Sequence, residues 1–365
     1  MPKIRVGVVG VGNCFAGLAQ GIEYYKRNKN DSTGLMHERI GPYSVEDIEF
    51  VSAFDVGENK VGRLLKEAIY ADPNYVRWVD SVSCCGDTIV KESPILDGVG
   101  VYAASMIKPI KQTRSVEEIR RDIIAEIEDT DTRILINYLP VGSQRATEFW
   151  AEVALETGCA FVNCIPVFIA SEEKWEKAFR MRNLPIVGDD IKAVIGSTIT
   201  HRTLVKLCVD RGAVIDRTYQ INVGGNTDFL NMLERSRLKS KKISKTEAVQ
   251  SLIPEGLKIP EDNIYIGPSD FIPFLGNTKL AFIRVEGRMF ANIPFNMEVR
   301  LEVNDKANSG GVSVDAIRCA QLALDKGIGG DLTYASAYYM KHPKVQMSDE
   351  EARKRLDEWI RELSH

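Results

Sequence analysis

Residues 3–10 form an apolar, β-rich run, and Val11-Gly12-Asn13-Cys14-Phe15-Ala16-Gly17 turns it directly into a helical pattern reaching about Tyr25. A strand that meets a helix through so short a glycine turn belongs to a layered α/β architecture, with helices covering a parallel sheet. Gly10 permits the tight turn, and Gly12 lets backbone come close to a pyrophosphate. The helix N-terminus then offers unpaired N–H groups and a favourable dipole to that anion. The third glycine of the dinucleotide-binding fingerprint would stand at Phe15, so the motif is incomplete. Strand, turn and helix still come in the order it requires. The turn is read as a nucleotide site, with a plain structural turn as the alternative.

Glu49-Phe-Val-Ser-Ala-Phe54 reads as a second strand ending at Asp55. A carboxylate there accepts ribose hydroxyls and repels a 2′-phosphate, which favours NAD over NADP. A polar segment with Gly34, Gly41 and Pro42 is inserted before it and explains its late position. The other reading of Asp55 is an ordinary strand-end turn. Residues 133–138 and 160–164 read as further strands, separated by a helical pattern over 144–156 that Gly158 stops. Such alternation predicts a doubly wound, Rossmann-like parallel sheet.

The pattern changes after Ile186-Val-Gly-Asp-Asp-Ile191. Residues 218–223, 263–266, 280–285 and 296–303 read as strands with few helices between them, and Met297, Val299, Leu301 and Val303 share one face. A second α+β domain on a mainly antiparallel sheet is expected over 197–307. Helical periodicity returns with Val312, Val314, Ile317, Ala320 and Leu324, and Ser348-x-x-Glu351 opens a C-terminal helix as a capping box. Rejoined to the first domain, these helices give a discontinuous unit of 1–196 plus 308–365.

The 365 residues suffice for two cores. A net charge of −4 gives no electrostatic case for nucleic acid or an anionic membrane as partner. No apolar segment approaches the roughly 20 residues a spanning helix needs, and the N-terminal run lacks the long apolar region of a signal peptide. The expectation is a cytoplasmic protein. Its seven cysteines (14, 84, 85, 159, 164, 208 and 319) are odd in number and irregular in spacing, without a Cys-x-x-Cys pair. They read as reduced core residues, with Cys84-Cys85 continuing a strand, rather than as disulfides or a zinc site.

Asn222-Val-Gly-Gly-Asn-Thr-Asp228, followed by Ser240-Lys-Lys-Ile-Ser-Lys245, concentrates glycines, carboxamides, a carboxylate and lysines in one short segment. Small residues and carboxamides after a strand can present N–H donors to hydroxyls and phosphate. Ser244-x-x-Glu247 reads as a capping box that makes Lys245 the first residue of a helix. A lysine there opposes the helix dipole unless an anion occupies that end. Taken alone, the lysine run reads as a solvated face. Asp228 can orient a lysine, accept a proton or ligate a cation, or simply cap a turn. The paired acids of Gly188-Asp189-Asp190-Ile-Lys192 can hold Lys192, position a ring or bind a metal. Gly196-Ser-Thr-Ile-Thr-His201 reads as a loop entering a helix, a further phosphate position, with His201 structural.

These stretches together resemble the myo-inositol-1-phosphate synthase (inositol-3-phosphate synthase) family in its shorter bacterial and archaeal form. The resemblance rests on Val9-Gly-Val-Gly-Asn13, Tyr138-Leu-Pro-Val-Gly-Ser143, Val187-Gly-Asp-Asp-Ile-Lys192, the block 220–245, Ile266-Gly-Pro-Ser-Asp270 and Asn304-Asp-Lys-Ala-Asn-Ser309. Asp325-Lys-Gly-Ile-Gly-Gly330 and Tyr339-Met-Lys-His-Pro343 carry it almost to the C-terminus. It implies conversion of D-glucose 6-phosphate to 1D-myo-inositol 3-phosphate by NAD-dependent oxidation, enolisation, intramolecular aldol cyclisation and re-reduction.

The resemblance further implies catalytic roles for Lys241, Lys245, Lys279, Lys341, Asp228 and Asp305. It places Gly10, Gly12, Asn13, Cys14, Asp55, Pro140 and Asp190 around NAD, and Thr198, Asn222 and Asn226 with Lys245 around the substrate. Lys241 is the expected base at the C5 hydroxyl, with Lys279 and Lys341 on oxyanions and Lys245 on phosphate. A homotetramer joined through the second-domain sheet is implied as well. Family members differ in needing a divalent cation or ammonium, and the metal stays open here. Ala193 and Asn277 depart from the family's serine and acid, a change of affinity rather than of reaction type. An ordinary NAD-dependent sugar-phosphate dehydrogenase that releases NADH, and a catalytically silent sensor, remain the alternatives.

Overall fold

The computed structural model describes residues 3–267 and 270–364, without the side chains of Lys239 and Lys241. Pro268 and Ser269, in one of the stretches quoted above, lie outside the described residues. Strand Ile4–Val9 is flanked by Ile48–Asp55 on one side and Ile134–Asn137 on the other, all parallel. The sheet extends through Val90–Glu92 on the first side. On the other it extends through Ala160–Asn163, Pro185–Val187 and Gly330–Asp331, seven strands in all. The chain therefore runs outward from its first strand, returns, and builds the other half. The reversal lies between Ile4–Val9 and Ile134–Asn137, where such sheets open a crevice at the strands' carboxyl ends.

Ile4, Val6, Val8 and Val9 have no exposed surface, as a parallel strand covered on both faces requires. Phe15, at the place of the fingerprint's third glycine, packs edge-on to Phe50 with ring centroids 4.7 Å apart. Such a pair contributes about 0.5–1.5 kcal/mol beyond the area it buries. Gly17 on the same helix supplies the close approach instead. A Cβ there would lie 3.0 Å from the Lys306 Cβ, so only glycine lets helix Asn13–Arg27 press against the start of helix Asp305–Asp325.

Helix Asp305–Asp325 begins well before the first periodic apolar residue, Val312. Its start is set by Asn304, whose side-chain oxygen accepts the amides of Lys306 and Ala307, both at 3.1 Å. Most of the helix is buried, and its end leads to edge strand Gly330–Asp331. A single rigid element thus spans from the crevice to the sheet's far edge.

The second sheet is mixed. Strand Thr278–Arg288 pairs antiparallel with both Val214–Gly224 and Pro294–Asn304, while Ile264–Ile266 and Asp270–Phe271 add parallel to Val214–Gly224. Helices Ser197–Asp210 and Lys239–Gln250 cover one face, where Val205, Val249, Ile283 and Val285 form the core. The opposite face carries Ile221 and Phe282, 37% and 39% exposed.

Three local expectations are corrected. Cys84 and Cys85 are buried in a turn rather than a strand, and the Cys84 thiol donates to the Ala19 carbonyl at 3.5 Å. Lys245 does not open a helix, because the helix already starts at Lys239. The Ser244 hydroxyl that was expected to cap donates to the Asp190 carboxylate instead. Lys192 is held by neither Asp189 nor Asp190; its ammonium bonds Asp349 at 2.7 Å and the Ala337 carbonyl at 2.8 Å. Val101–Ile107 forms a further short helix.

Candidate active site

One cavity lies along the carboxyl ends of the parallel strands and is closed by the far end of the second sheet. Its lining includes Gly10, Gly12, Cys14, Asp55, Pro140, Asp190, Thr198, Asn222, Asp228, Lys245, Lys279, Asp305 and Lys341. Residues from eight separate stretches of chain thus converge.

The glycine turn forms one wall. Gly10 adopts φ +90°, and a Cβ there would stand 3.0 Å from the Tyr138 carbonyl oxygen. A Cβ on Gly12 would meet no protein atom within 4 Å. The face of the turn at Gly12 is therefore open on the protein side, with backbone at the surface of the cavity. Asp55 is tied down by backbone: Oδ2 accepts Val11 N–H at 2.7 Å, and Oδ1 accepts Val56 and Gly57 N–H at 2.8 and 2.7 Å. Its carboxylate shapes the turn first, and Oδ2 keeps capacity for one hydroxyl donor. Lys60, 5% exposed, donates to the Val11 carbonyl at 2.7 Å, and Asn74 donates to the same oxygen at 3.1 Å. The Val11 peptide is thus gripped on both edges. Asn13 donates to the Pro73 carbonyl at 3.2 Å and accepts Tyr75 N–H at 2.6 Å, which fixes the first helical turn.

The opposite wall carries lysines, two of them set against carboxylates. Lys341 Nζ lies 2.7 Å from Asp190 Oδ1 and 2.6 Å from the Ile191 carbonyl. Asp190 itself adopts φ +62°, a left-handed conformation uncommon for a residue with a Cβ. Lys279 Nζ lies 3.3 Å from Asp305 Oδ1. Sheet register makes that pair, since Lys279 stands opposite Gly224 on one side and Val303 on the other, two residues before Asp305. Burial opposes the Asp305 charge, but Lys306 and Lys279 outweigh it and hold the carboxyl far below the usual range.

Asn226 caps helix Thr227–Asn231 with its side-chain oxygen, which accepts Asp228 and Phe229 N–H at 3.1 and 3.4 Å. Its Nδ2 is buried with no partner among the described residues, a donor without an acceptor. Asn222 donates to the Gly267 carbonyl at 2.9 Å. Thr198 lies in the first turn of helix Ser197–Asp210, on the cavity wall with Ser197. Lys241 belongs to helix Lys239–Gln250, but its side chain, the expected base, lies outside the described residues.

Asp189 does not face the cavity. It is fully buried and accepts Asn163, the Ile169, Ala170 and Ser171 amides and the Ser171 hydroxyl. Burial raises its pKa, partly offset by those donors. His201 is structural, bonded to Thr218 and Gln220 at 2.8 and 3.3 Å, and burial pushes its pKa down to about 4.

Sequence reading missed Lys306, Lys60 and Arg237. The Lys306 ammonium lies 2.9 Å from Asp305 Oδ2 and 3.3 Å from the Cys14 sulfur, 2% exposed in the cavity wall. Arg237 bonds the Val141 and Asp97 carbonyls at 2.9 and 2.7 Å, clasping the 227–238 segment to the loops that follow the parallel strands. The one available signal for Lys306 was its placement between Asp305 and the start of an apolar helix, which reads equally well as a solvated helix end.

A family model described as myo-inositol-1-phosphate synthase matches residues 196–306. The chain is 49% identical over 98% of its length to inositol-3-phosphate synthase of Mycolicibacterium smegmatis, covering 98% of that protein. It is 47% identical to inositol-3-phosphate synthase of Corynebacterium glutamicum, again over 98% of both. Among solved structures, a myo-inositol-1-phosphate synthase-related protein from Thermotoga maritima superposes with a TM-score of 0.83. That match is 24% identical, covers 98% of each chain, and speaks to the fold alone.

Proposed function

The chain belongs to the myo-inositol-1-phosphate synthase family, and from that membership we propose how its cleft divides the labour of the reaction. It is an isomerase that converts D-glucose 6-phosphate to 1D-myo-inositol 3-phosphate. Oxidation and reduction cancel over a turnover, so a single enclosed site must serve both. NAD, when bound, supplies the reversible oxidation at C5 and leaves the net stoichiometry unchanged. The open face of Gly12, the N-terminus of helix Asn13–Arg27 and the pinned Val11 peptide suit its pyrophosphate. Cys14, Asn13, Asp55, Pro140 and Asp190 complete that wall in this reading.

The buried, unpartnered Asn226 Nδ2, next to the lining residues Thr227 and Asp228, is suited to the substrate phosphate, together with Lys245, Asn222 and the helix end at Thr198 on the cavity wall. Lys341 and Lys279 stand against Asp190 and Asp305 at 2.7 and 3.3 Å. As ammonium groups they hold negative oxygens of the enolate and of the cyclising aldehyde, where a well-placed donor contributes about 3–4 kcal/mol. Lys241 takes the proton of the C5 hydroxyl, and Asp228 orients the neighbouring lysines. Residues 1–196 with 308–365 serve as the cofactor-binding unit and 197–307 as the catalytic unit.

The exposed sheet face with Ile221 and Phe282 suits the joining of copies into a homotetramer. Seven unpaired cysteines suit a reducing cytoplasm, and no described helix is long and apolar enough to cross a membrane.

The observation that carries this reading is the meeting of two lysine–carboxylate pairs with an open glycine turn in one cavity. Incubation with glucose 6-phosphate and NAD, followed by phosphorus NMR and NADH absorbance, tests it. The expected result is a new inositol phosphate without accumulating NADH. Accumulation of NADH without cyclised product means a dehydrogenase and sinks the reading.

A further inference from the structure

The carboxylates of the cleft can be tested for room to hold the divalent cation that some family members need. Asp305 has both oxygens engaged by ammonium groups, Lys279 at 3.3 Å and Lys306 at 2.9 Å. A metal bound to that carboxylate would sit within a few ångströms of two positive charges, each repelling it. Among the described residues no group of three or more His, Cys, Asp or Glu gathers elsewhere to hold one. The donor set does not fit a metal at Asp305.

Lys306 is itself a cation on that carboxylate, and its position is otherwise unfavourable. It is 2% exposed, although burying an ammonium is costly. It stands in the first turn of helix Asp305–Asp325, and its Nζ lies 3.3 Å from Cys14 in the first turn of helix Asn13–Arg27. Two helix N-termini, each carrying partial positive charge, therefore converge on an ammonium. Burial opposes the charge, but the Asp305 carboxylate outweighs it and holds Lys306 well above the ordinary lysine range. Asp305 in direct contact and Asp228 beside it then face two ammonium groups and two helix ends. That balance is completed by an incoming anion.

We propose that Lys306 is a further catalytic residue, whose tethered ammonium replaces an exchangeable cation. It shares with Lys279 the negative charge that develops on the substrate oxygens. This rests on the synthase reading above. The consequence is an enzyme that carries its cation in its own sequence and is indifferent to added metal or ammonium.

The test assays wild-type protein, treated with EDTA in ammonium-free buffer, for inositol phosphate formation. Turnover is expected to persist, unchanged by Mg2+ or ammonium. Lys306→Ala is expected to lose about 10²–10³-fold in kcat and to regain part of it with ammonium or methylammonium. Mn2+ titrated into Lys306→Ala and followed by electron paramagnetic resonance is expected to bind where wild type binds none. Loss of wild-type turnover after EDTA, restored by Mg2+ or ammonium, overturns the proposal even if the variant fails to fold. So does Lys306→Ala turning over at the wild-type rate without added cations. Absence of cyclised product from wild type under every cation condition instead removes the synthase reading on which the proposal stands.

Discussion

Asp55 Oδ2 accepts the Val11 backbone amide at 2.7 Å, so the carboxylate at the end of the second strand sets the shape of the glycine turn at the end of the first. Asp55→Ala leaves the Val11, Val56 and Gly57 amides without their acceptor. Each lost bond to a charged group costs about 1.5–3 kcal/mol. NAD affinity, measured by calorimetric titration, is expected to fall at least about tenfold, since about 1.4 kcal/mol is a factor of ten. Unchanged affinity would mean that the turn keeps its shape without Asp55.

Lys279→Met removes one of the two ammonium groups on Asp305 but touches no part of the glycine turn. Turnover is expected to drop about 10²–10³-fold, the usual effect of deleting one oxyanion donor. NAD affinity should stay at the wild-type value. A fall in NAD binding equal to the fall in kcat would place Lys279 on the cofactor instead.

Arg237→Ala breaks the clasp between the 227–238 segment and the Asp97 and Val141 carbonyls. The segment's remaining ties to that wall include Asn231 to the Val141 carbonyl at 3.0 Å and Glu234 to Val101 N–H at 2.8 Å. Limited proteolysis is expected to cut faster between 227 and 250, while the thermal midpoint of the parallel sheet changes little. Protease resistance equal to wild type would show that the clasp is redundant.

Two histidines give opposite pH slopes. His201 is buried, with its pKa lowered from 6.5 to about 4, so the unfolded chain binds more protons between those values. Its contribution is complete above pH 6.5 and is lost as pH falls toward 4. For His37 burial works against the charge, but hydrogen bonds to Asp315 at 2.6 Å and Asp357 at 2.9 Å outweigh it and raise the pKa. That contribution is complete below 6.5 and is lost as pH rises through the raised value. Urea melts across pH are expected to show a shallower acid limb for His201→Gln and a shallower loss above pH 6.5 for His37→Gln. The same slope in variant and wild type would remove the histidine from the account.

The glycine turn was legible because strand, turn and helix are local, and Gly10 at positive φ leaves a mark that few other residues imitate. Lys279 and Asp305 were legible through family resemblance, whereas their pairing depends on sheet register that no short window contains. Lys306 was not legible at all. In Asn-Asp-Lys-Ala-Asn it looks like a solvated helix start, and its burial comes from Gly17 on a helix from the other end of the chain. The helix start at Lys239 was misread for a related reason: Ser244 had a tertiary partner, Asp190, that outcompeted the local cap. Local geometry is legible where the backbone decides it and lost where a distant side chain does.

Helix Asp305–Asp325 enters the crevice at one end and leads to the edge strand at the other, and Lys341 reaches Asp190 only after it. During synthesis the ribosome therefore releases every strand of the second sheet, Lys279 included, before the carboxylate that Lys279 meets at Asp305 appears. The two lysine–carboxylate pairs thus close last, each joining an earlier stretch of chain to a later one, and the cleft takes its final charge only when synthesis has passed residue 341.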